Sequence, residues 1–252
     1  MSMFSKANSK LQKLASNPAM AEWLTGNRKV YSFPLLSGWS CPFAKDCLSK
    51  VHSTVNGLRI VDGKDTQFRC YSASQEAVYP AVYAKRKRNF DTMRSFKDVT
   101  SMADHICAEL PKNAGIVRIH DAGEFFNMNY MMAWARVAFR NPNLLFYAYT
   151  KALNWFVDLR ENGLIPSNLL ITASRGGRLD HLIDQHKLKE ARVVYSADQA
   201  SKMSLDIDDD DSHAAHPAYR DQSFALLIHG VQPKGSDAAA ALRDLKRKRR
   251  SA

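Results

Sequence analysis

The sequence lacks long apolar runs and has no leader-like segment at its start. No part of its 252 residues approaches the roughly 18 consecutive apolar residues that a membrane-spanning helix needs. The first residues do not combine a charged segment with a following apolar segment, as secretory signals do. We therefore expect a cytoplasmic protein that has no membrane partner.

Common fingerprints of ligand binding are also missing. No Gly-rich segment matches the Walker or Rossmann patterns, and Ser174–Gly177 is only a possible anion-binding turn before a helix. The acidic run Asp208–Asp211 lacks the glycine and the distal glutamate of a calcium loop, so it predicts a solvated loop. The sequence therefore contains no direct signal for a nucleoside triphosphate, a dinucleotide or calcium.

Acidic residues are in deficit. The chain has 36 Lys and Arg residues against 25 Asp and Glu residues, which leaves a formal net charge of +11. This excess favours a polyanionic partner, with nucleic acid (DNA or RNA) first, and general solubility is the alternative interpretation. Two basic runs stand out, Lys85–Arg88 and Lys246–Arg250, and the second reads as a solvated tail. No feature indicates the oligomeric state.

The four cysteines are too few for a disulfide scaffold, and a reducing compartment disfavours disulfides. Cys41, Cys47 and Cys70 lie in polar loop sequence, where three thiolates can hold three irons of a [4Fe–4S] cluster. The alternatives are zinc, with His52 as the fourth ligand, and three unligated thiols. The spacing matches neither zinc ribbons nor the ferredoxin run. Cys107 lies on a predicted helix and reads as a buried thiol.

Short apolar segments alternate with amphipathic helical segments, which predicts βαβ units and a parallel sheet. Six strands are predicted, at residues 29–36, 115–120, 144–149, 168–172, 191–195 and 223–229. We favour an α/β fold of the partial (β/α)6-type parallel barrel, because functional-looking residues end nearly every strand. An open doubly wound sheet also fits this pattern.

The chain divides into three predicted parts. Residues 1–28 form a helical lead-in, residues 29–233 form a single barrel-like domain, and residues 234–252 form a basic C-terminal helix or tail. Within the domain, residues 37–76 are the predicted metal-binding loop and carry three of the cysteines; a long irregular stretch follows residues 37–47 and closes at residues 68–71. Loops of this length are uncommon in compact domains unless something orders them, and a bound metal would do so.

Polar residues cluster where the second predicted strand ends. His120 and Asp121 are candidates for acid–base chemistry or ligation, although His120 also fits a hydrogen-bonded core histidine. Glu124 is a candidate catalytic and cofactor-binding residue that accepts from an ammonium or hydroxyl group. Gly123 lets a ligand approach the backbone closely.

Later strands also end in polar residues. Lys151 follows the third predicted strand, and Ser174 with Arg175 follows the fourth. Lys151 and Arg175 offer cations to phosphate or carboxylate groups, and Ser174 begins the possible anion-binding turn. Lys151 also fits a surface lysine at a helix start. We predict Lys151 as a catalytic residue and Ser174 and Arg175 as cofactor-binding residues.

Three segments in combination resemble the bacteriophage gene product 88 domain family. They are residues 37–47 (SGWSCPFAKDC) with Cys70 and Tyr71, residues 118–126 (RIHDAGEFF) and residues 147–151 (YAYTK). The resemblance covers most of residues 30–230. It implies a phage origin, and hence the host cytoplasm, more than it implies an activity.

A more distant resemblance is to radical S-adenosylmethionine enzymes. These enzymes place a three-cysteine cluster loop after the first barrel strand, and a Gly-Gly-Glu-type segment after the second strand holds the amino group of the cofactor methionine. Here Cys41, Cys47 and Cys70 follow the first predicted strand, and residues 122–124 (AGE) end the next. The resemblance implies a [4Fe–4S] cluster and bound S-adenosylmethionine. The sequence departs from the tight cysteine spacing of these enzymes, with five and then twenty-two intervening residues.

Three functional hypotheses follow. The first is an iron–sulfur, radical-enzyme-like protein that acts on nucleic acid or a nucleotide-derived substrate. The second is a non-catalytic nucleic-acid-binding protein in which a cluster or zinc is structural. The third is a phage effector that binds a host protein.

Overall fold

The computed structural model describes residues 2–251, with side chains for residues 2–248. Its strands, in chain order, are β1 (Ser5–Lys6), β2 (Lys29–Phe33), β3 (Ser49–Thr54), β4 (Gly57–Asp62), β5 (Ala114–Ile119), β6 (Leu145–Thr150), β7 (Leu169–Ser174), β8 (Glu190–Val194), β9 (Asp206–Ile207) and β10 (Phe224–Leu227). Its α-helices are α1 (Ser9–Ser16), α2 (Tyr71–Val78), α3 (Pro80–Ser95), α4 (Val99–Glu109), α5 (Met128–Arg140), α6 (Leu153–Glu161), α7 (His181–Gln185), α8 (Ala197–Lys202), α9 (Ser212–Ala215) and α10 (Asp237–Ser251). Short 3₁₀ helices span Pro18–Trp23 and Pro217–Tyr219.

The protein has a mixed α/β fold built on one mostly parallel sheet of eight strands, in the order β1-β2-β5-β6-β7-β8-β10-β9. Strand β1 pairs antiparallel with β2, and every other pair in this sheet is parallel. The six predicted strands correspond to β2, β5, β6, β7, β8 and β10, which confirms the predicted parallel sheet. Within the described residues β1 and β9 each pair on one side, so the sheet is open at both edges.

Both faces of the sheet are covered, which explains why its strands read as nearly continuous apolar runs. Side chains alternate between the faces along each strand. Val117 and Phe146 belong to the larger core, which includes residues of α4, α5 and α6. Ile116 and Leu145 belong to a second core on the other face, where α1, the first 3₁₀ helix and α9 pack.

The N-terminal segment is part of this second core. Leu11, Leu14 and Met20 are fully buried there, and the Asn8 side chain caps α1 by accepting from the Leu11 N–H at 3.1 Å. The predicted lead-in of residues 1–28 therefore contains α1 and a 3₁₀ helix, and its apolar residues are held by the sheet. At the other end of the chain, α10 begins at Asp237, close to the predicted boundary at residue 234.

Residues 37–76 contain more structure than the sequence suggested. Strands β3 and β4 form an antiparallel hairpin, and the expectation of an irregular segment here is wrong. Thr54 pairs with Gly57 across a two-residue turn, and Gly57 has φ +102°, which suits a glycine. The hairpin escaped prediction because both strands are short and partly exposed, so neither has the continuous apolar run of a buried strand.

No helix within residues 2–251 is both long and apolar enough to cross a membrane.

Candidate cysteine-lined active site

A cavity of about 730 Å³ lies at the carboxyl ends of the parallel strands. This is where binding sites gather in α/β sheets, and the volume is within the usual range for ligand sites. The predicted site residues that line it are Cys41, Cys47, Cys70, His120, Asp121, Gly123, Glu124, Lys151 and Ser174. The structure therefore brings together nine of the ten predicted site residues, and Arg175 is the exception.

The Cys41 loop is shaped by a glycine and by the hairpin. Gly38 has φ +69°, and a Cβ added there would lie 2.2 Å from the Ser49 carbonyl oxygen at the start of β3. The Gly38 N–H points at the Cys41 Sγ at 3.3 Å. Hydrogen bonds of this kind tune metal-bound thiolates.

Cys70 immediately precedes α2, and its thiol receives hydrogen bonds from the backbone N–H groups of Ser72 and Ala73. These bonds favour the thiolate, but burial and the neighbouring Cys47 outweigh them and raise the pKa of Cys70. Burial also raises the pKa of Cys41, followed by the charges of Glu124, Cys70 and Cys47. The three thiols are therefore close enough to influence one another, and the raised pKa values of Cys41 and Cys70 keep these two thiols protonated at neutral pH when no cation is bound.

Glu124 is the most strongly hydrogen-bonded carboxylate at this end of the cavity. Its Oε2 accepts from the Lys151 N–H at 2.6 Å, and its Oε1 accepts from the Phe125 N–H at 2.8 Å and the Thr150 hydroxyl at 2.9 Å. Burial raises the pKa of Glu124 to about 7 despite these bonds, because the side chain is only 6% exposed. A carboxylate has about four lone-pair sites, so one remains for a ligand.

Gly123 is required by the protein itself. It has φ +85°, and a Cβ added there would lie 2.6 Å from the Leu35 Cβ and 2.7 Å from the Ser40 Oγ. The same Ser40 hydroxyl accepts from the Glu124 N–H at 3.1 Å. The close approach therefore packs the segment that leads to Cys41 against the segment that carries Glu124.

We expect Gly123→Ala to lower the free energy of unfolding by about 2–4 kcal/mol. The left-handed backbone costs about 1–2 kcal/mol for a residue with a Cβ, and the clash adds about 1–3 kcal/mol. Gly163 is a matched control, since it has φ +67° and no atom within 4 Å of an added Cβ. In denaturant unfolding, Gly163→Ala should lose only about 1–2 kcal/mol, from backbone strain. Equal losses of unfolding free energy in the two variants would show that the clash at Gly123 contributes nothing.

His120 ends β5 in an unusual backbone conformation, with φ +69°. Its Nε2 lies 3.0 Å from the Tyr130 hydroxyl, and its buried Nδ1 has no hydrogen-bond partner within the described residues. Burial, followed by the charge of Arg118, lowers the pKa of His120 to about 3, so the ring is neutral. Asp121 also has a buried, unpartnered oxygen, Oδ1, beside the cavity.

Lys151 and Ser174 are joined by hydrogen bonds. The Lys151 ammonium donates to the Ser174 hydroxyl at 2.6 Å and to the Ser174 carbonyl at 3.0 Å. The guanidinium of Arg175 lies outside the cavity lining and pairs with Asp184 at 2.7 Å and with Glu190. Arg175 is therefore held by carboxylates of its own chain.

The backbone N–H groups of the predicted anion-binding turn at residues 174–177 already have an acceptor within the protein. The Gly176 and Gly177 N–H groups donate to the Asp180 carboxylate at 2.9 and 2.8 Å. The Gly176 carbonyl accepts from the Asp46 N–H at 3.0 Å, next to Cys47. This turn therefore anchors the cysteine loop, and the expectation that its N–H groups are open to an anion is wrong.

The acidic run holds a buried, charge-paired residue that the sequence did not reveal. Asp211 is fully buried and accepts from Arg118 at 2.6 Å, Lys10 at 2.7 Å, the Tyr147 hydroxyl at 2.9 Å and the Tyr149 hydroxyl at 3.1 Å. The prediction of a solvated loop at residues 208–211 is therefore wrong. A repeated acidic tetrapeptide carries no signal that would separate its buried members from its exposed ones.

Two further sequence candidates lie elsewhere. His52 is on β3, where its ring contacts Trp39 with centroids 5.0 Å apart, and it does not line the cavity. Cys107 is half-buried on α4 and packs against the larger core, with its Sγ 3.7 Å from the Asn141 amide nitrogen. Neither is placed to join the three cavity thiols.

Comparison with known proteins agrees with the first resemblance drawn from the motifs. A model of the family described as gene product 88 matches residues 2–250. The chain belongs to this family. The family assignment covers nearly the whole sequence, including the cysteine loop and the segment that carries Glu124.

Two relatives in this family are phage proteins. The chain is 29% identical over 139 residues to the gene 88 protein of Mycobacterium phage L5, covering 52% of this chain and 51% of that one. It is 27% identical over 148 residues to the gene 88 protein of Mycobacterium phage D29, covering 56% and 54%. The chain thus spans about half the length of the curated relatives it matches. No solved structure matches it.

Proposed function

We propose that this protein is a phage enzyme that holds a [4Fe–4S] cluster on Cys41, Cys47 and Cys70 and uses S-adenosylmethionine in the host cytoplasm. The observation that carries the proposal is that these three thiols line one cavity together with Gly123 and Glu124. The substrate in this proposal is nucleic acid or a nucleotide derivative, in keeping with the net charge of +11.

The strand order supports a radical-enzyme-like partial barrel. Strands β2, β5, β6, β7, β8 and β10 lie side by side in chain order, without the reversal that defines a doubly wound sheet. Crossovers between parallel strands are right-handed, so an unreversed order keeps connecting helices such as α5 and α6 on one face of the sheet, as in a barrel. The short helix α9 is an exception and packs on the other face.

A cluster and a single zinc ion make different demands on the spacing of the three cysteines. Within residues 2–251, no group of three or more His, Cys, Asp and Glu side chains is arranged to hold a metal ion. One zinc needs its sulfurs about 4 Å apart, because each lies about 2.3 Å from the metal. A cubane cluster binds each thiolate to a different iron, which separates the sulfurs more widely. A cluster therefore tolerates a wider spacing of the three sulfurs than a single zinc ion does.

Glu124 is the residue that would hold the cofactor's amino group. Its oxygens have room for one more donor, and an ammonium supplies both a hydrogen bond and the charge that keeps the carboxylate ionised. His120 stays neutral at neutral pH, so it can donate or accept a hydrogen bond without adding charge to the cavity. When bound, a cluster and S-adenosylmethionine together supply one-electron chemistry.

We expect protein purified without oxygen to be brown and to contain about four irons and four sulfides per chain, as the cluster formula requires. Cys41→Ser, Cys47→Ser and Cys70→Ser should each lose most of the iron, because each thiolate ligates one iron. Iron and sulfide analysis, with electron paramagnetic resonance of the reduced protein, measures the loss. S-adenosylmethionine should change the resonance of the wild type.

Cys107→Ser is the matched control, since Cys107 lies outside the cavity, and it should keep the full iron content. Colourless protein with one zinc per chain would contradict the cluster. If the cluster is present but S-adenosylmethionine does not change its resonance, the cluster would be structural, and the proposal of an enzyme would be wrong.

The raised pKa of Glu124 predicts how the metal-free protein responds to pH. The folded pKa of about 7 lies above the ordinary value of 4.5, so the folded state binds its proton more tightly. The resulting stabilisation is present at low pH and is lost as the pH rises through 7, by about 2–3 kcal/mol between pH 5 and pH 8. In Glu124→Gln this part of the pH dependence should disappear. Urea unfolding at several pH values measures this dependence. If the free energy of unfolding changes with pH equally in the wild type and in Glu124→Gln, Glu124 is not the group responsible.

A further inference from the structure

The cavity extends beyond the thiols and Glu124 to a second end formed by different residues. Arg118, Tyr149 and Asp208 line this end, together with Lys10 and Lys13 of α1 and residues of α10. The proposed cluster and amino-group contacts use none of these side chains. A cavity of about 730 Å³ is in the upper part of the range for ligand sites, which leaves room for a second molecule.

Buried polar atoms at this end have no partner in the described residues. Asp208 is only 3% exposed, and its Oδ2 makes no hydrogen bond. The Nε of Arg118 is also buried and unpartnered. Orphaned buried groups cost stability, and a ligand that reaches this acceptor and this donor would satisfy both.

The walls of this end are apolar. Val193, Leu226 and Ile228 line the cavity from the sheet, and Leu242 and Leu245 line it from α10. Flat apolar faces with hydrogen-bonding groups on the edge are the properties of a nucleobase, and Tyr149 adds an aromatic ring. The lining therefore suits a base better than a sugar or a fatty chain.

Charge decides which way round a nucleotide would enter. The exposed Lys13 of α1 and Lys246 of α10 line the cavity and attract phosphate. The carboxylates of Asp208 and Asp209 also line it and repel phosphate. A nucleotide is therefore oriented with its base towards Asp208 and its phosphate towards the two lysines.

The cations of α10 continue beyond the cavity. Arg243 is exposed one turn before Lys246 and does not line the cavity, whereas Arg247 and Lys248 pair with Asp244 and Asp198. A single nucleotide held inside the cavity does not extend to Arg243, whereas a neighbouring phosphate of a strand can.

From these features we propose that the second end of the cavity is a base-binding subsite, which admits one unstacked base of a single-stranded nucleic acid while α1 and α10 hold the flanking phosphates. The inference rests on the proposed function only in naming the substrate of the same cavity. It makes its own prediction for protein that carries no cluster.

The test uses fluorescence anisotropy with a labelled single-stranded oligonucleotide, on the full chain with and without reconstituted iron. Lys13→Glu with Lys246→Glu should weaken binding about 25-fold at 0.1 M salt, since two phosphate contacts at about 0.7 log units each are lost. The control is Lys112→Glu with Lys187→Glu, which makes an equal charge change at exposed positions. These residues precede β5 and β8, so they lie at the amino ends of the strands, opposite the cavity. The control should bind within about threefold of the wild type, because screening limits its effect on the cavity.

Entry of the base is tested with 2-aminopurine in the strand, whose emission rises when it is unstacked. The wild type should raise the emission, and Leu245→Trp, which fills the cavity from α10, should bind the strand without the rise. The proposal would be overturned if the two double variants lost equal affinity for the strand, or if the wild type left the 2-aminopurine emission unchanged. It would also be overturned if mononucleotides bound as tightly as the strand. A chain that binds the strand as expected but cannot be reconstituted with any cluster would overturn the enzyme proposal and leave this inference standing.

Discussion

Arg86→Met is expected to lower the free energy of unfolding by about 3–5 kcal/mol, because it leaves the buried carboxylate of Glu76 without its counterion. The Arg86 guanidinium donates to Glu76 Oε1 at 3.2 Å and to the Ser72 carbonyl at 2.9 Å. The same Glu76 oxygen accepts from the Ser37 N–H at 3.0 Å and its hydroxyl at 2.8 Å. Burial already raises the pKa of Glu76 even with Arg86 present.

This ion pair also matters for the cluster site that we propose. Ser37 begins the loop that carries Cys41, and α2 begins directly after Cys70. The pair of Glu76 and Arg86 therefore ties the two cysteine-bearing segments together through one buried contact. We expect Arg86→Met to lower the iron content as well as the stability, although neither residue of the pair lines the cavity.

Lys87→Met is the matched control for Arg86→Met. Lys87 is the next residue on α3, and its ion pair with Asp91 is half exposed to solvent, so its loss should cost less than about 0.5 kcal/mol. Adding Glu76→Gln to Arg86→Met should restore more than half of the lost stability, since no unpaired charge remains. Denaturant unfolding measures both, and a control as damaging as Arg86→Met would show that burial of the ion pair is not the cause.

The basic run at residues 85–88 shows where sequence reasoning succeeds and where it stops. The run does lie on a helix, as expected, but successive helical residues point about 100° apart. Arg86 is therefore buried, Lys87 is exposed, and the Lys85 ammonium donates to the Phe4 carbonyl at 2.6 Å. A run of cations in sequence is thus not a single basic surface in space.

The parallel sheet was predictable because its strands are buried on both faces and read as apolar runs. The convergence of the cysteines and Glu124 followed from topology, since the carboxyl ends of parallel strands all lie at the same end of the sheet. The β3–β4 hairpin and Asp211 were not predictable in this way. Asp211 is buried by partners such as Lys10 and Arg118, which are remote in sequence and share no local pattern with it.

Asp211→Asn is expected to cost about 3–5 kcal/mol, because it removes the only negative charge bonded to the buried Arg118 guanidinium within the described residues. Asp211 has φ +67°, a conformation that Asn adopts as readily as Asp, so the substitution tests the charge and not the backbone. Asp209→Asn is the matched control. It makes the same change two residues away at an exposed position and should cost less than about 0.5 kcal/mol.

The pH dependence separates loss of this charge from loss of packing. Burial acts to raise the pKa of Asp211, but Arg118, Lys10 and the hydrogen bonds lower it to about 2, below the ordinary 3.8. The stability it contributes is therefore present above pH 3.8 and is lost as the pH falls towards 2. The gap between wild type and Asp211→Asn should narrow by about 1 kcal/mol from pH 6 to pH 3. A gap that stays constant in urea unfolding would mean that shape, and not charge, makes Asp211 necessary.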